Sequence, residues 1–382
     1  MLLEKSFQIT VFELSNDGLT ALGDLTQYTS IKWPSSFIGC GSFELWAPIN
    51  EENSMFFKNG NILWSQSEIA AIIECVKSEV DDNGTKSFNV KGRTIERFLM
   101  DRIVWGTITY KNLKASTLMY NIIDTQCINP TNSDRIIPFL VNDEDLEVGN
   151  TIDSYQNTGG NVYDLLYSIA VDSDIGFTLY PDQEIRKMVF SVRKGTDRTR
   201  DNTDGNDPVI FETELNDILS SKYYINNEDL KTVAFVQGED KGEARKSVTV
   251  GDVYGVGLRR RELYVDARDL QSEVFDDEGH STVIPESQYL QTLSQRGQEK
   301  LAEYITIETF ESQIRQFGDV QYEYGVDFFL GDKVTVVDSE LGVEVSARIL
   351  SVEEDISDKY ELTLNFGYSY PTILKKVKRE IT

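Results

Sequence analysis

Along most of this chain apolar residues alternate with polar ones. "SFQITVFEL" (6–14) reads as a strand that turns at Asn16-Asp17-Gly18, and "CGSFELWAP" (40–48) as another closed by Pro48. "NILWS" (61–65), "EIAAIIECVKSEV" (68–80) and "KSFNVKG" (86–92) continue the pattern, and Asp82-Asn83-Gly84 marks a hairpin between the last two. Short strands at near-regular spacing predict a barrel or sandwich over about residues 1–110. The period then lengthens. "RTIERFLMDRIV" (93–104) predicts a helix with Ile95, Phe98, Leu99 and Ile103 near one face. "NLKASTLMYNIIDTQCI" (112–128) predicts another, stopped by Pro130, and "NVYDLLYSIAVDS" (161–173) a third, capped by Asn161 before the strand "DIGFTLYPD". Helices mixed with strands make residues 111–207 a small α+β module, and "RKGTDRTRDNTDGNDP" (193–208) is polar enough for a linker or long hairpin.

Strand patterns return after 208 in "VIFETEL", "SSKYYINNED", "TVAFVQGED" and "RKSVTVG". "PESQYLQTLSQRGQEKLAEY" (285–304) is the clearest helix, with Tyr289, Leu293, Gly297 and Leu301 on one side; Gly297 is either a mild cost or a close-packing position. From Ile305 to Gly367 the strands "DKVTVVD", "VEVSARILSVEED" and "YELTLNFG" form a three-stranded meander. It is opened by "YEYGVDFFLGDKVTVVD" (322–338), where Gly325, Asp327, Gly331 and Asp332 are expected to build the turn, Gly331 by adopting positive φ and the aspartates by accepting turn hydrogen bonds.

Composition narrows the function classes. With 40% hydrophobic and 26% charged residues in 382, the chain can bury a real core and is neither disordered nor fibrous. A net charge of −27 argues against gripping nucleic acid by its phosphates, though repulsion suits a passage through which DNA slides. The one histidine, His280, lies in the polar run "FDDEGHST", which leaves no parts for a zinc site or a histidine-based triad; a solvated loop histidine is the expectation. Cys40, Cys75 and Cys127 are read as buried inert thiols in a reducing compartment. The start of the chain lacks signal-peptide character and no run approaches the ~18 apolar residues of a membrane span, so synthesis in the cytoplasm and a soluble product are expected.

Candidate chemistry is thin. "DED" (143–145) and "EED" (353–355) are uninformative in so acidic a chain, and "DNTDGNDP" (201–208) lacks the closing glutamate of a calcium loop. Arg259, Arg260 and Arg261 form a local basic cluster expected to pair with neighbouring acids, and the tail "ILKKVKRE" is read as a solvated terminus. Neither a catalytic residue, a cofactor nor a metal site is expected. The residues describe a β-rich protein that works through its surfaces.

The order "GSFELWAP", "IIECVKSEVDDNGTKSFNVKGRTIERFLMDRIV", "GGNVYDLLYSIAVDSDIGFTL", "RRRELYVDARDL", "YEYGVDFFLGDKVTVVD" and "NFGYSYPTI" resembles the tail-hub proteins of long-tailed siphophages. These are similar to the N-terminal hub part of tail-associated lysins and, more distantly, to the baseplate hubs of contractile tails. The resemblance implies an α+β, β-rich fold with two related β-barrel domains and smaller inserted α+β domains. Mapped on this chain, 1–110 is the first barrel, 111–207 the α+β domain, 208–270 the first part of the second barrel, 271–317 an inserted helical segment, and 318–382 the rest of that barrel with the tail. It further implies a homotrimeric ring at the tail tip of the virion, assembled from subunits made in the host cytoplasm, which connects distal tail protein and tail tube protein to fibre or receptor-binding proteins. The tape measure protein and DNA would pass through in transit. Lysins of this kind usually extend further with a fibre or a wall-degrading domain; if this chain is complete, any peptidoglycan enzyme is expected to be a separate protein, the alternative being a truncated lysin. Two alternatives are a cell-wall hydrolase and a host-glycan-binding module, the latter pointing to Trp46, Trp64 and Trp105.

Overall fold

The computed structural model describes residues 8–65, 69–80, 83–212, 218–239, 244–275, 281–314, 321–338, 343–357 and 360–367. His280 and the tail after 367 lie outside them. The alternating segments assemble into one thirteen-stranded sheet among the described residues. Its spatial order is Ile218–Asn226, Ile307–Ile314, Tyr360–Gly367, Val343–Ile356, Ser30–Ser36, Ser42–Pro48, Lys86–Thr94, Ala70–Val80, Ile62–Ser65, Ile9–Ser15 and Gly18–Leu25. Lys333–Asp338 adds to Val343–Ile356 and carries Ile210–Glu212 in parallel. The expected closing meander is therefore present.

Period-two burial explains these strands. Ser30–Ser36 buries Ile31, Trp33 and Ser35, and Ser42–Pro48 buries Phe43, Leu45 and Ala47, each on one face. The fourteen-residue strand Val343–Ile356 decides the architecture: its start pairs with Lys333–Asp338, and its later part lies between Tyr360–Gly367 and Ser30–Ser36. The two ends of the chain thus share one sheet and one core, in which Trp33, Phe37, Phe43 and Leu45 meet Phe211, Phe328, Val334 and Phe366. The fold is β-rich α+β. Among the described residues no ladder closes into a barrel, because the edge that Ser30–Ser36 would need to close the first half is taken by the second.

The first helix of the chain, α1 (Glu51–Phe56), is short. A second core joins the middle module to the other face of the N-terminal strands, where Phe12, Ile62 and Ile72 meet helix α2 (Ala115–Ile123), helix α3 (Val162–Ser173) and the sheet of Leu140–Asn142, Gly176–Asp182 and Lys187–Arg193. Asn161 caps α3 as expected, its side chain accepting from the amides of Tyr163 and Asp164. The helix expected over 93–104 is a 3₁₀ turn, Ile95–Asp101; Ile95 and Leu99 face inward, but the chain leaves the turn before Ile103, which is exposed. The expected boundary at 110/111 falls inside the strand Thr107–Lys114, which pairs with Thr151–Thr158 and so belongs to the middle module on both sides of that boundary.

A third core changes the assignment of 208–270. Val233–Gln237, Ser247–Gly251 and Glu262–Asp266 form their own sheet and pack against helix α3's neighbour, the long helix Glu286–Ala302, rather than joining the main sheet. Gly297 is the close-packing position: a Cβ there would lie 2.6 Å from Val236 and 2.7 Å from Val250. The strand Ile307–Ile314, expected in the inserted helical segment, returns to the main sheet instead. Of the thiols, Cys127 is buried and Cys40 half-buried, and burial pushes both up to about 12, as inert thiols require. Cys75 is exposed, contrary to expectation, because the register of its strand shifts between Ile73 and Cys75 and its outer half projects beyond the core.

Candidate functional site: a junction beneath the 323–332 turn

The turn is built as its residue types demand. Gly325 and Gly331 have φ of +85° and +92°. Asp327 Oδ2 accepts from the amide of Glu323 at 2.8 Å, which pins the first half of the turn. Phe328 is fully buried, edge-on to Phe211 with ring centroids 5.2 Å apart, and anchors the turn in the shared core. Asp332 does more than close the turn. Its carboxylate accepts from the amides of Phe329 at 3.0 Å and Thr196 at 2.9 Å, and from Arg198 Nε at 3.1 Å. The turn is thereby tied to the polar 193–208 segment, which runs along the strand Lys333–Asp338 as a pinned strap rather than as a free linker.

Residues that the sequence did not single out complete the junction. Arg348, buried, grips Asp174 with two parallel bonds, Nε to Oδ1 at 2.9 Å and Nη2 to Oδ2 at 2.6 Å, and its Nη1 donates to the carbonyls of Lys194 at 2.9 Å and Gly331. Lys333 Nζ reaches the same Asp174 Oδ2 at 2.7 Å. Burial would raise the Asp174 carboxyl, but Arg348 and Lys333 outweigh it and hold the group below the usual carboxylate range. Asp174 ends helix α3 in the left-handed conformation, so its ion pairs with Arg348 and Lys333 help to fix the middle module to the main sheet. The Arg348 guanidinium also lies 4.8 Å from the centroid of the buried Phe37 ring, with Arg193 at 5.7 Å. The one legible signal was an arginine inside the apolar run "SARIL", where a charge needs a partner.

All these carboxylates are engaged by arginine, lysine or backbone amides, an arrangement that holds segments together and presents no free acid or base. Replacing Arg348 by lysine keeps the charge but loses the fork, and should cost about 2 kcal/mol in chemical denaturation. An unchanged midpoint would show that Asp174 is held by Lys333 alone.

The other singled-out residues are dispersed. Asp145 accepts from Ser116 and Thr117, Glu354 from Tyr360, and Asp355 pairs with Lys32. In "DNTDGNDP" the side chains of Asn202 and Asn206 bond the loop's own backbone. Arg260 pairs with Glu262, whereas Arg261 donates to the carbonyl of Asn227. Trp46 and Trp64 are half-buried, and Trp105 is exposed with Arg135 over its ring.

A second junction joins the third core to the middle module. Arg296 forks onto Asp269 at 3.1 and 3.0 Å and donates to the carbonyl of Gln156, while Ser154 and Thr292 share a hydrogen bond of 2.6 Å. One turn on, Glu299 is buried with Gln295 as its hydrogen-bond partner, and burial pushes its carboxyl up to about 7.

A family model described as Siphovirus ReqiPepy6 Gp37-like protein matches residues 10–368. Similar solved structures include the tail protein from Neisseria meningitidis MC58, at 15% identity over 94% of this chain and 97% of that chain with a TM-score of 0.55. The 43 kDa tail protein of prophage MuSo2 from Shewanella oneidensis is similar at 12% identity over 94% and 97%, with a TM-score of 0.51. At these identities the likeness is one of fold. No curated protein sequence matches the chain.

Proposed function

We propose a hub role at the tail tip for this chain, which belongs to the Siphovirus ReqiPepy6 Gp37-like protein family. The tail proteins from Neisseria meningitidis and Shewanella oneidensis, which share its fold, support a place in the phage tail. The observation that carries the hub reading is the shared sheet: the N-terminal strands and the C-terminal meander form one continuous wall with one core, and the other modules attach outside it. A ring subunit needs a wall that does not hinge.

In this reading the main-sheet strands up to Thr94, and those of 210–226 with 307–367, are the two barrel-related parts, and the middle module and the small sheet riding on the long helix Glu286–Ala302 are the added modules. Three copies form a ring of pseudo-sixfold symmetry that continues the tail tube. The turn residues Gly325, Asp327, Gly331 and Asp332 set the register of the wall. Distal tail protein, tail tube protein, tape measure protein and fibre or receptor-binding proteins are its partners, DNA passes only in transit, and the role is structural, with no cofactor. The net charge of −27 suits a passage to which DNA does not adhere. Mass determination in solution tests the reading: a threefold species is expected, alone or on addition of the distal tail protein. A monomer that persists with that partner present sinks it.

A further inference from the structure

We propose that the loop 252–261 of one copy docks head to tail on the acidic loop 143–147 of a second copy. The first loop carries four apolar side chains in six positions, with Tyr254 90%, Val256 67% and Leu258 99% exposed and Val253 also outward. Four apolar side chains left together in water mark a surface made to be covered. The loop is also held in place. The amide of Asp252 donates to the carbonyl of Thr232, those of Gly255 and Arg260 to the carbonyls of Asp252 and Gly257, and that of Arg261 to Thr232 Oγ1. A fixed loop loses little conformational entropy on binding.

Charge selects the occupant. Of the three arginines Arg259 to Arg261, Arg260 pairs with Glu262 and Arg261 donates to the carbonyl of Asn227, which leaves the exposed Arg259 as the cation turned to a partner, in a chain of net charge −27. The loop 143–147 is its complement: Leu146 is 67% exposed among Asp143, Glu144, Asp145 and Glu147. Asp145 turns inward to Ser116 and Thr117 and Asp143 accepts from the Tyr180 hydroxyl, so Glu144 and Glu147 are the exposed acids beside the leucine with no such partner among the described residues. One loop is apolar and basic, the other apolar and acidic, and they sit in different modules. A contact between two unlike patches of the same chain is heterologous, the kind that closes rings. The proposal rests on the ring reading for its copy number.

The test uses the full chain under the conditions in which the wild type assembles. Leu258→Asp should weaken association by about tenfold or more, as expected for losing one buried leucine at a contact, with the thermal melt of the monomer retained. Arg259→Glu should also weaken it, and Glu144→Arg with Glu147→Arg in the same chain should restore it. An unchanged trimer in Leu258→Asp overturns the docking loop and leaves the ring reading standing. Weakening without restoration overturns the pairing with 143–147. A wild-type chain that stays monomeric with the distal tail protein present overturns both.

Discussion

Gly331→Val should remove about 4 kcal/mol of stability, and Gly325→Val only about 1, although both glycines sit in the same turn with positive φ. The backbone penalty is common to the two, since a β-branched side chain at φ near +90° is strained wherever it stands. Space separates them. Around Gly325 a Cβ would meet nothing within 4 Å, whereas at Gly331 it would lie 2.4 Å from Cδ2 and Cε2 of Phe37. That ring cannot yield. It is fully buried, Gly176 packs so near it that a Cβ there would lie 2.6 Å from the same two atoms, the Phe37 amide donates to the Leu350 carbonyl and its own carbonyl accepts from Phe177, and Arg348 covers a face. A shift of the 331 backbone would in turn pull the carbonyl that Arg348 grips and the neighbouring carboxylate of Asp332. Chemical denaturation of the two variants side by side is the measurement. Equal losses would mean that only the turn's dihedrals matter and that the Phe37 contact does not constrain it.

That contrast shows what the sequence could and could not reveal. Glycine-aspartate pairs between alternating runs expose a turn, because the need for positive φ and for a side-chain acceptor is local. The strands of both halves, the cap at Asn161 and the stripe of the long helix were legible for the same reason. The partner of each element was not. Nothing in "SIKWPSS" says that its free edge will pair with a strand more than three hundred residues later, and edge choice is what replaced two separate closed sheets by one shared sheet. The strands between 233 and 266 look like those of the main sheet in pattern, and only the close approach of Val236 and Val250 to Gly297 sends them to the long helix. Phe37, Asp174 and Arg348 were missed because each is ordinary in its own segment and meaningful only where three segments converge.

Stability should fall as pH rises from about 4.5 to about 7, and Glu299→Gln should abolish most of that slope. Burial raises the Glu299 carboxyl to about 7 in the folded protein, against an ordinary value near 4.5 when unfolded. Between those values the folded state binds the proton that the unfolded state has released, so stability is full below about pH 4.5 and is lost progressively until about pH 7. The loss amounts to at most about 3 kcal/mol. Arg296 and Lys300 favour the charged form but do not overcome burial, Arg296 being committed to Asp269, and Asp172 on α3 adds a second carboxyl that burial also raises. Both acids lie where the long helix meets α3, so deprotonation strains the attachment of the third core and leaves the main sheet untouched. Glutamine keeps the length of the side chain and can keep its contact with Gln295 without ever ionising. The variant should therefore match the wild type near pH 4.5 and exceed it by about 3 kcal/mol at pH 8. Denaturation curves at both values decide it, and parallel pH profiles for the two proteins would show that Glu299 is hydrated and titrates as an ordinary surface acid.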